Sequence, residues 1–211
     1  MYIAIDSSNQ LRFTGTVSGS YFEISNVYKE ISKILKNSGI NPPFHWSKIS
    51  RKVKESNRKD IAEVINKSKL NFNIFQHTRP QNMSRKELFF IRLPNAISQN
   101  LENWLRYKHG QVDLEVDDDY NFSRTSGTKK FLENLIFTIC FRLVGKPVKV
   151  RVNNIIRSTI KQDNGVILEF YGTISDANNS KGIQIIDLVI GFILENKDMF
   201  QSNKIFFKKI C

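Results

Sequence analysis

Apolar residues recur along this chain with two periods, and the periods divide it into strands and helices. Residues 2–5 form an apolar run that ends at Asp6. Over 11–17, Leu11, Phe13 and Gly15 share one face and Arg12, Thr14 and Thr16 the other. A third extended piece is expected at 21–24, so the N-terminus predicts two or three antiparallel strands, the first two joined by the polar turn Ser7-Ser8-Asn9-Gln10. Val27, Ile31, Ile34 and Leu35 then recur at helical spacing over 27–36. Ser38-Gly39 ends that helix and Asn41-Pro42-Pro43 prevents its return. After Phe44-His45-Trp46-Ser47-Lys48 comes a strongly basic helix that packs one face through Ile61, Val64 and Ile65, and 70–76 alternates as a strand.

The second half predicts helices at 85–93 and 96–107, with Pro94 as a break or kink. A strand at 111–116 runs into Asp117-Asp118-Asp119, and a helix covers 128–143. Strands at 149–152 and 166–171 precede an almost wholly apolar helix at 181–195 and a short amphipathic helical segment at 199–210. Antiparallel strands followed by α/β alternation predict an α/β fold: a mixed central sheet, antiparallel first and parallel later, flanked by helices. One domain over 1–211 is expected, with a helical insertion within 41–107.

The composition fits that picture. Of 211 residues, 40% are hydrophobic and 25% charged, enough for a buried core. No window of about 18 uninterrupted apolar residues exists, so no membrane span is expected. Cys140 and Cys211 are too few for a disulfide framework or a cysteine zinc site. The start lacks a signal-peptide pattern, and a cytoplasmic, reducing compartment is the expectation. Lys and Arg number 32 against 20 Asp and Glu, a net charge of +12 that favours a polyanionic partner such as RNA or DNA.

In so basic a chain, three carboxylate positions stand out. Asp6 ends an apolar strand, where an Asp either makes a turn or serves a site. Asp117 ends a strand whose one face carries Val112, Leu114 and Val116 and whose other carries Asp113, Glu115 and Asp117. That acidic face is either a solvated sheet edge or, with the run through Asp119, a place where a cation relieves repulsion. Asp119 lies two residues beyond Asp117, on the same side if the strand continues. Asp187 lies inside Ile183-Gln184-Ile185-Ile186-Asp187-Leu188-Val189-Ile190-Gly191-Phe192. A helix apolar on nearly all sides is buried, and a buried carboxylate costs roughly several kcal/mol unless it is paired or bound to a metal. Gln184 at i−3 and Gly191 at i+4 share its stripe. Carboxylates converging from strand ends and a helix suit Mg²⁺ or Mn²⁺, hard cations that take oxygen ligands and bind substrate phosphates. Two such ions about 3.5–4 Å apart stabilise attacking and leaving oxygens, so phosphodiester hydrolysis needs no protein nucleophile.

This combination resembles the ribonuclease H-like superfamily, in which the first strand carries an Asp, a later parallel strand ends in another and a C-terminal helix supplies a third. More narrowly, it resembles the family catalogued as domain of unknown function 3800. Members open with a strand running into Asp-Glu-Ser-Gly and close with a helix of the type Gln-Leu-Ala-Asp-Leu-Val-Ala-Gly. Here the opening is Ile3-Ala4-Ile5-Asp6-Ser7-Ser8-Asn9 and the closing helix is Gln184-Ile185-Ile186-Asp187-Leu188-Val189-Ile190-Gly191, preceded by Ser180-Lys181. The 44–48 stretch resembles a mid-chain segment of the same family. Ser7 stands where Glu is usual, Asn9 where Gly is usual, and Phe44 where an acidic residue often precedes the His. The resemblance implies a ribonuclease H-like sheet with Asp6, Asp117 and Asp187 as metal ligands. It makes His45 a proton carrier or phosphate contact, or else a packed His beside Trp46, and Gln184 a partner that orients Asp187, or else a core hydrogen bond.

Lys48, Arg51, Lys52, Lys54, Arg58 and Lys59 form the densest basic segment, either a phosphate-docking face or an ordinary solvated one. Phe44, Trp46 and Trp104 offer rings for bases to stack on, or core packing. Two readings follow: a Mg²⁺- or Mn²⁺-dependent nuclease, and a non-catalytic protein on the same fold that binds nucleic acid or a ribonucleoprotein such as the ribosome. A protein-interaction module with a basic surface is the third.

Overall fold

The structure, a computed structural model, describes residues 1–8, 13–77, 84–106, 110–118, 125–144, 151–152, 156–162, 165, 167–176, 178–195 and 205–210. Strand β1 (Tyr2–Ser7) pairs antiparallel with β2 (Phe13–Gly19), and β2 with β3 (Asn71–His77). Strands β4 (Gly110–Asp117) and β7 (Ile167–Ser175) extend the sheet parallel to β1 on its other side. Beyond β7 lie β6 (Ile156–Lys161) and the two-residue β5 (Arg151–Val152), both pairing antiparallel. Strand β8 (Ile205–Ile210) runs parallel to β3 at the opposite edge. The order is β5-β6-β7-β4-β1-β2-β3-β8, an eight-stranded mixed sheet.

Helices cover both faces. Alternation along β1 sorts its side chains: Ile3 and Ile5 enter one core, Tyr2 and Ala4 the other. The first core holds Val112, Leu114 and Val116 of β4 with helices α4 (Leu93–Leu105) and α5 (Thr125–Val144). The second holds α1 (Tyr21–Asn37), α2 (Arg51–Lys67) and α6 (Lys181–Glu195). Segment Phe44–Trp46, entering the short 3₁₀ turn Trp46–Lys48, packs into this second core. Among the described residues, no helix is long and apolar enough to cross a membrane.

Three expectations need correction. Residues 21–24 are not a strand but the first turn of α1, capped by the Ser20 hydroxyl, which accepts from the Glu23 amide at 3.1 Å. The helix turns Tyr21 and Phe22 outward, 63% and 73% exposed, and Ile24, Val27, Ile31 and Leu35 inward. The third antiparallel strand is β3 instead. The C-terminal segment is not helical over 205–210; it is the edge strand β8, held by β3. Residues 85–105 are not broken at Pro94. A short turn α3 (Arg85–Glu87), a π-turn at Leu88–Arg92 and α4 follow one another without a gap. Pro94 lies inside this continuous run just after the π-turn, and the Phe90 carbonyl four residues before it, left without a Pro94 N–H, accepts instead from Asn134 Nδ2 at 2.9 Å. Strand β6 is an element the sequence pattern did not announce.

Candidate functional site

Strand register places two of the three aspartates. In the parallel β1–β4 ladder the last pair is Ile5 with Val116. Asp6 and Asp117 follow one step later on neighbouring strands, at the same end of the sheet. Ile5 and Val116 lie in the α4–α5 core, so alternation turns Asp6 and Asp117 to the face carrying α6. Gly15 tests this independently, because it is the register partner of Asp6. A Cβ on Gly15 would come within 2.7–2.8 Å of Ile186 and Ile190 of α6. Asp6 is buried, and its Oδ1 accepts from the Ser7 amide at 2.7 Å. Asp117 is half-buried. Asp118 turns away: its amide donates to the Ser175 carbonyl at 3.0 Å and its Oδ1 accepts from Thr128 Oγ1 at 3.4 Å. Asp119 lies outside the described residues.

Helix α6 carries the third. From Gly182 to Ile193 every residue is buried except Asp187, which is half-buried. Over that span the helix is sealed all round and opens only at this carboxylate. Asp187 Oδ2 accepts from the Trp46 amide at 2.9 Å. Burial raises the pKa of Asp187; the Trp46 hydrogen bond and the positive charges of His45 and Lys54 oppose that rise without cancelling it.

The stripe Gln184–Asp187–Gly191 seats the 44–46 segment. Gln184 Oε1 accepts from the Phe44 amide at 2.9 Å and from the Tyr28 hydroxyl at 3.1 Å. A Cβ on Gly191 would lie 2.0 Å from the Trp46 ring, so only glycine leaves that ring room. Backbone amides of Phe44 and Trp46 thus dock on successive turns of α6, which fixes His45 between them. The His45 ring is half-exposed, and its Nε2 stands 3.2 Å from Asn178 Oδ1. Phe44 and Trp46 are buried, so their rings serve packing. Trp104 is half-buried against the other core.

Sequence reasoning missed the role of Glu115, which had been one of a row of acidic positions. Its Oε2 accepts from the Tyr2 hydroxyl and, at 2.8 Å, from the Ser180 hydroxyl. Ser180 Oγ also accepts from the Ile183 amide at 3.2 Å and so caps α6. Burial and the Glu115 charge push the Tyr2 phenol pKa well above its ordinary value. Glu115 therefore bolts the start of α6 to β1 and β4. The acidic face of β4 hinted at this, but nothing in the sequence paired position 115 with 2 and 180.

The basic segment divides. Arg51, Lys54 and Arg58 recur along α2 at i, i+3 and i+7, and with Trp46, Glu55 and Glu195 they line a pocket of about 420 Å³. Lys48, Lys52 and Lys59 are exposed and lie outside that lining.

Among the described residues, no three His, Cys, Asp or Glu side chains gather closely enough to hold a metal ion. The aspartates thus share a sheet face without closing into one cluster. The donors have the right chemistry for a hard cation, being carboxylate oxygens with no thiolate among them. Asp187 keeps Oδ1 without a hydrogen-bond donor among the described residues. Comparison with protein-family models, with curated proteins and with solved structures gives no match to this chain.

Proposed function

We propose that this chain is a metal-dependent nuclease of the ribonuclease H-like type, acting on phosphodiester bonds of RNA or DNA. The observation that carries this reading is Asp187. A half-open carboxylate in an otherwise sealed helix, on the face that receives Asp6 and Asp117, costs stability that a structural role would not require. The topology supports it too. Three antiparallel strands lead, two parallel strands join beside the first, and the acids come from the first strand, a later parallel strand and a C-terminal helix. This is the pattern that the resemblance to the ribonuclease H-like superfamily implies.

In this reading Asp6, Asp117 and Asp187 hold Mg²⁺ or Mn²⁺. The cation, when bound, supplies Lewis-acid polarisation of the phosphoryl oxygens and activates water near neutral pH. Asp187 contributes its charge from a partly dry site, where each electrostatic contact counts for more than in water. The Trp46 amide fixes the orientation of its carboxylate. His45, held at this site by the docking of its two neighbours, returns a proton to the leaving oxygen. Cations of α2 hold the flanking strand by its phosphates.

A second reading is a non-catalytic protein that binds nucleic acid or a ribonucleoprotein. Two features favour it: the Trp46 amide already occupies an Asp187 oxygen, and Ser7 stands where the resembled family has a carboxylate. The two separate on incubating the protein with single-stranded RNA, double-stranded DNA and an RNA–DNA hybrid, each with Mn²⁺, with Mg²⁺ and with EDTA. The nuclease cleaves at least one of them, only with metal, and Asp187→Asn loses cleavage while retaining binding. Salt-sensitive binding with no cleavage under any metal would select the second reading.

A further inference from the structure

The pocket on α2 is built around an anion that the protein itself provides. Two donors converge on one oxygen of Glu195: Trp46 Nε1 at 3.1 Å and Lys54 Nζ at 3.3 Å. Lys54 also lies 4.3 Å above the Trp46 ring centre, and its side chain is only 14% exposed. A side chain so enclosed, with its ammonium set between an indole and a carboxylate, is pre-positioned and loses little freedom when an anion arrives. Arg51 and Arg58 line the same cavity. Arg51 donates to Glu55 at 2.8 Å, an exposed pair of the kind that contributes little and yields easily. The lining holds three cations and two carboxylates. The two carboxylates, Glu195 and Glu55, end side chains that are 46% and 57% exposed. The volume of about 420 Å³ falls in the range of small-ligand sites, roughly 300–1,000 Å³. Trp46 is the wall shared with the candidate active site: its amide holds Asp187, and its indole N–H faces the pocket.

We propose that this pocket is a phosphate subsite, in which a phosphate of the nucleic-acid strand displaces Glu195 from Lys54 and is gripped by Lys54, Arg51 and Arg58. The subsite rests on the nucleic-acid reading above, though not on cleavage. Glu195 acts as a built-in competitor: it keeps the donors satisfied when the pocket holds no strand and raises the threshold for weak anions. A doubly charged phosphate monoester or a backbone phosphate outcompetes it by offering more oxygens at once, some to the parallel hydrogen bonds of the Arg51 and Arg58 guanidinium groups and another to Lys54. The exposed Lys48, Lys52 and Lys59 supply non-directional attraction only.

Fluorescence anisotropy in EDTA tests this apart from catalysis. The probes are single-stranded ten-nucleotide RNA and DNA oligomers labelled at the 3′ end, each with a 5′-phosphate and with a 5′-hydroxyl. Arg51→Ala/Arg58→Ala and Lys52→Ala/Lys59→Ala remove the same charge from the same helix. The pocket pair is expected to weaken binding at least about tenfold, and the outside pair only about two- to threefold. Glu195→Gln, which keeps an acceptor for Trp46 but frees Lys54, is expected to tighten binding severalfold. A 5′-phosphate preference that vanishes in the pocket pair assigns the site to a strand end; equal binding of both probes assigns it to a backbone phosphate. Equal losses in the two double variants, or no gain in Glu195→Gln, would overturn the subsite and leave nucleic-acid binding standing. Failure of the parent protein to bind any probe at low salt would overturn the nucleic-acid reading itself, and the subsite with it.

Discussion

Burial lifts the Asp187 carboxyl above the usual carboxylate range. The unfolded chain therefore gives up this proton first as pH rises. Below both values the group costs nothing; between the ordinary pKa and the raised one, stability is progressively lost, and the loss persists above. Asp187→Asn cannot ionise and keeps an oxygen for the Trp46 amide. In metal-free buffer its denaturation midpoint is expected to match the parent near pH 3, below both values, and to exceed it at pH 7. A variant less stable than the parent at pH 7 would mean that His45 and Lys54 outweigh burial. Gly191 is a second single-residue test. A methyl group there meets the Trp46 ring at 2.0 Å, so Gly191→Ala is expected to cost about 1–3 kcal/mol by chemical denaturation. It should also disturb His45, whose neighbour is displaced. An unchanged midpoint would show that Trp46 is free to swing away.

At the scale of elements, α6 is the piece on which everything is hung. Its start is bolted by Ser180 and Glu115, and its middle receives the 44–46 segment. Ser180→Ala removes the cap and one donor to Glu115 and is expected to cost about 1–2 kcal/mol. Tyr2→Phe leaves the same carboxylate short of a donor, at about 1–3 kcal/mol. Because both act on one carboxylate, a double-mutant cycle should show coupling; strict additivity would place the two contacts in separate systems. This helix was also the most legible element: its expected span, 181–195, coincides with the observed one. An almost wholly apolar run with a serine ahead of it leaves little room for another reading. Legibility failed where local pattern and tertiary context disagree. Tyr21 and Phe22 look like a strand start because aromatic pairs favour strands, yet Ser20 caps a helix there and both rings point outward. Residues 205–210 are short enough for either structure, and only pairing with β3 decides it. Strand β6 alternates, but one inward position is Ser158, which hides the apolar rhythm. The stripe Gln184–Asp187–Gly191 was readable from helical spacing. That it faces Phe44–Trp46, distant in the chain, was not.

The whole molecule separates two jobs across one sheet. The α4–α5 face is an apolar core, with Leu132 and Ile136 packed where a Cβ on Gly172 would lie. The α6 face carries the acids, the docked His45 and the basic helix α2. The chain carries a net charge of +12, while Asp6, Asp117 and Asp187 share one face of the sheet, the division of labour that the proposed function requires: cations for a polyanion and carboxylates for a metal ion. Its affinity for nucleic acid is accordingly expected to fall steeply, by about tenfold or more, between 50 and 200 mM salt, as read by anisotropy. A flat salt response would remove the polyanion from the account. The central claim is that Asp6, Asp117 and Asp187 act together on a divalent cation. Titration calorimetry of the pure protein with Mn²⁺, beside Asp6→Asn, Asp117→Asn and Asp187→Asn, tests it most directly. The account predicts saturable binding in the parent and a loss of roughly tenfold or more in each variant. No Mn²⁺ binding by the parent, or binding indifferent to all three substitutions, would contradict it.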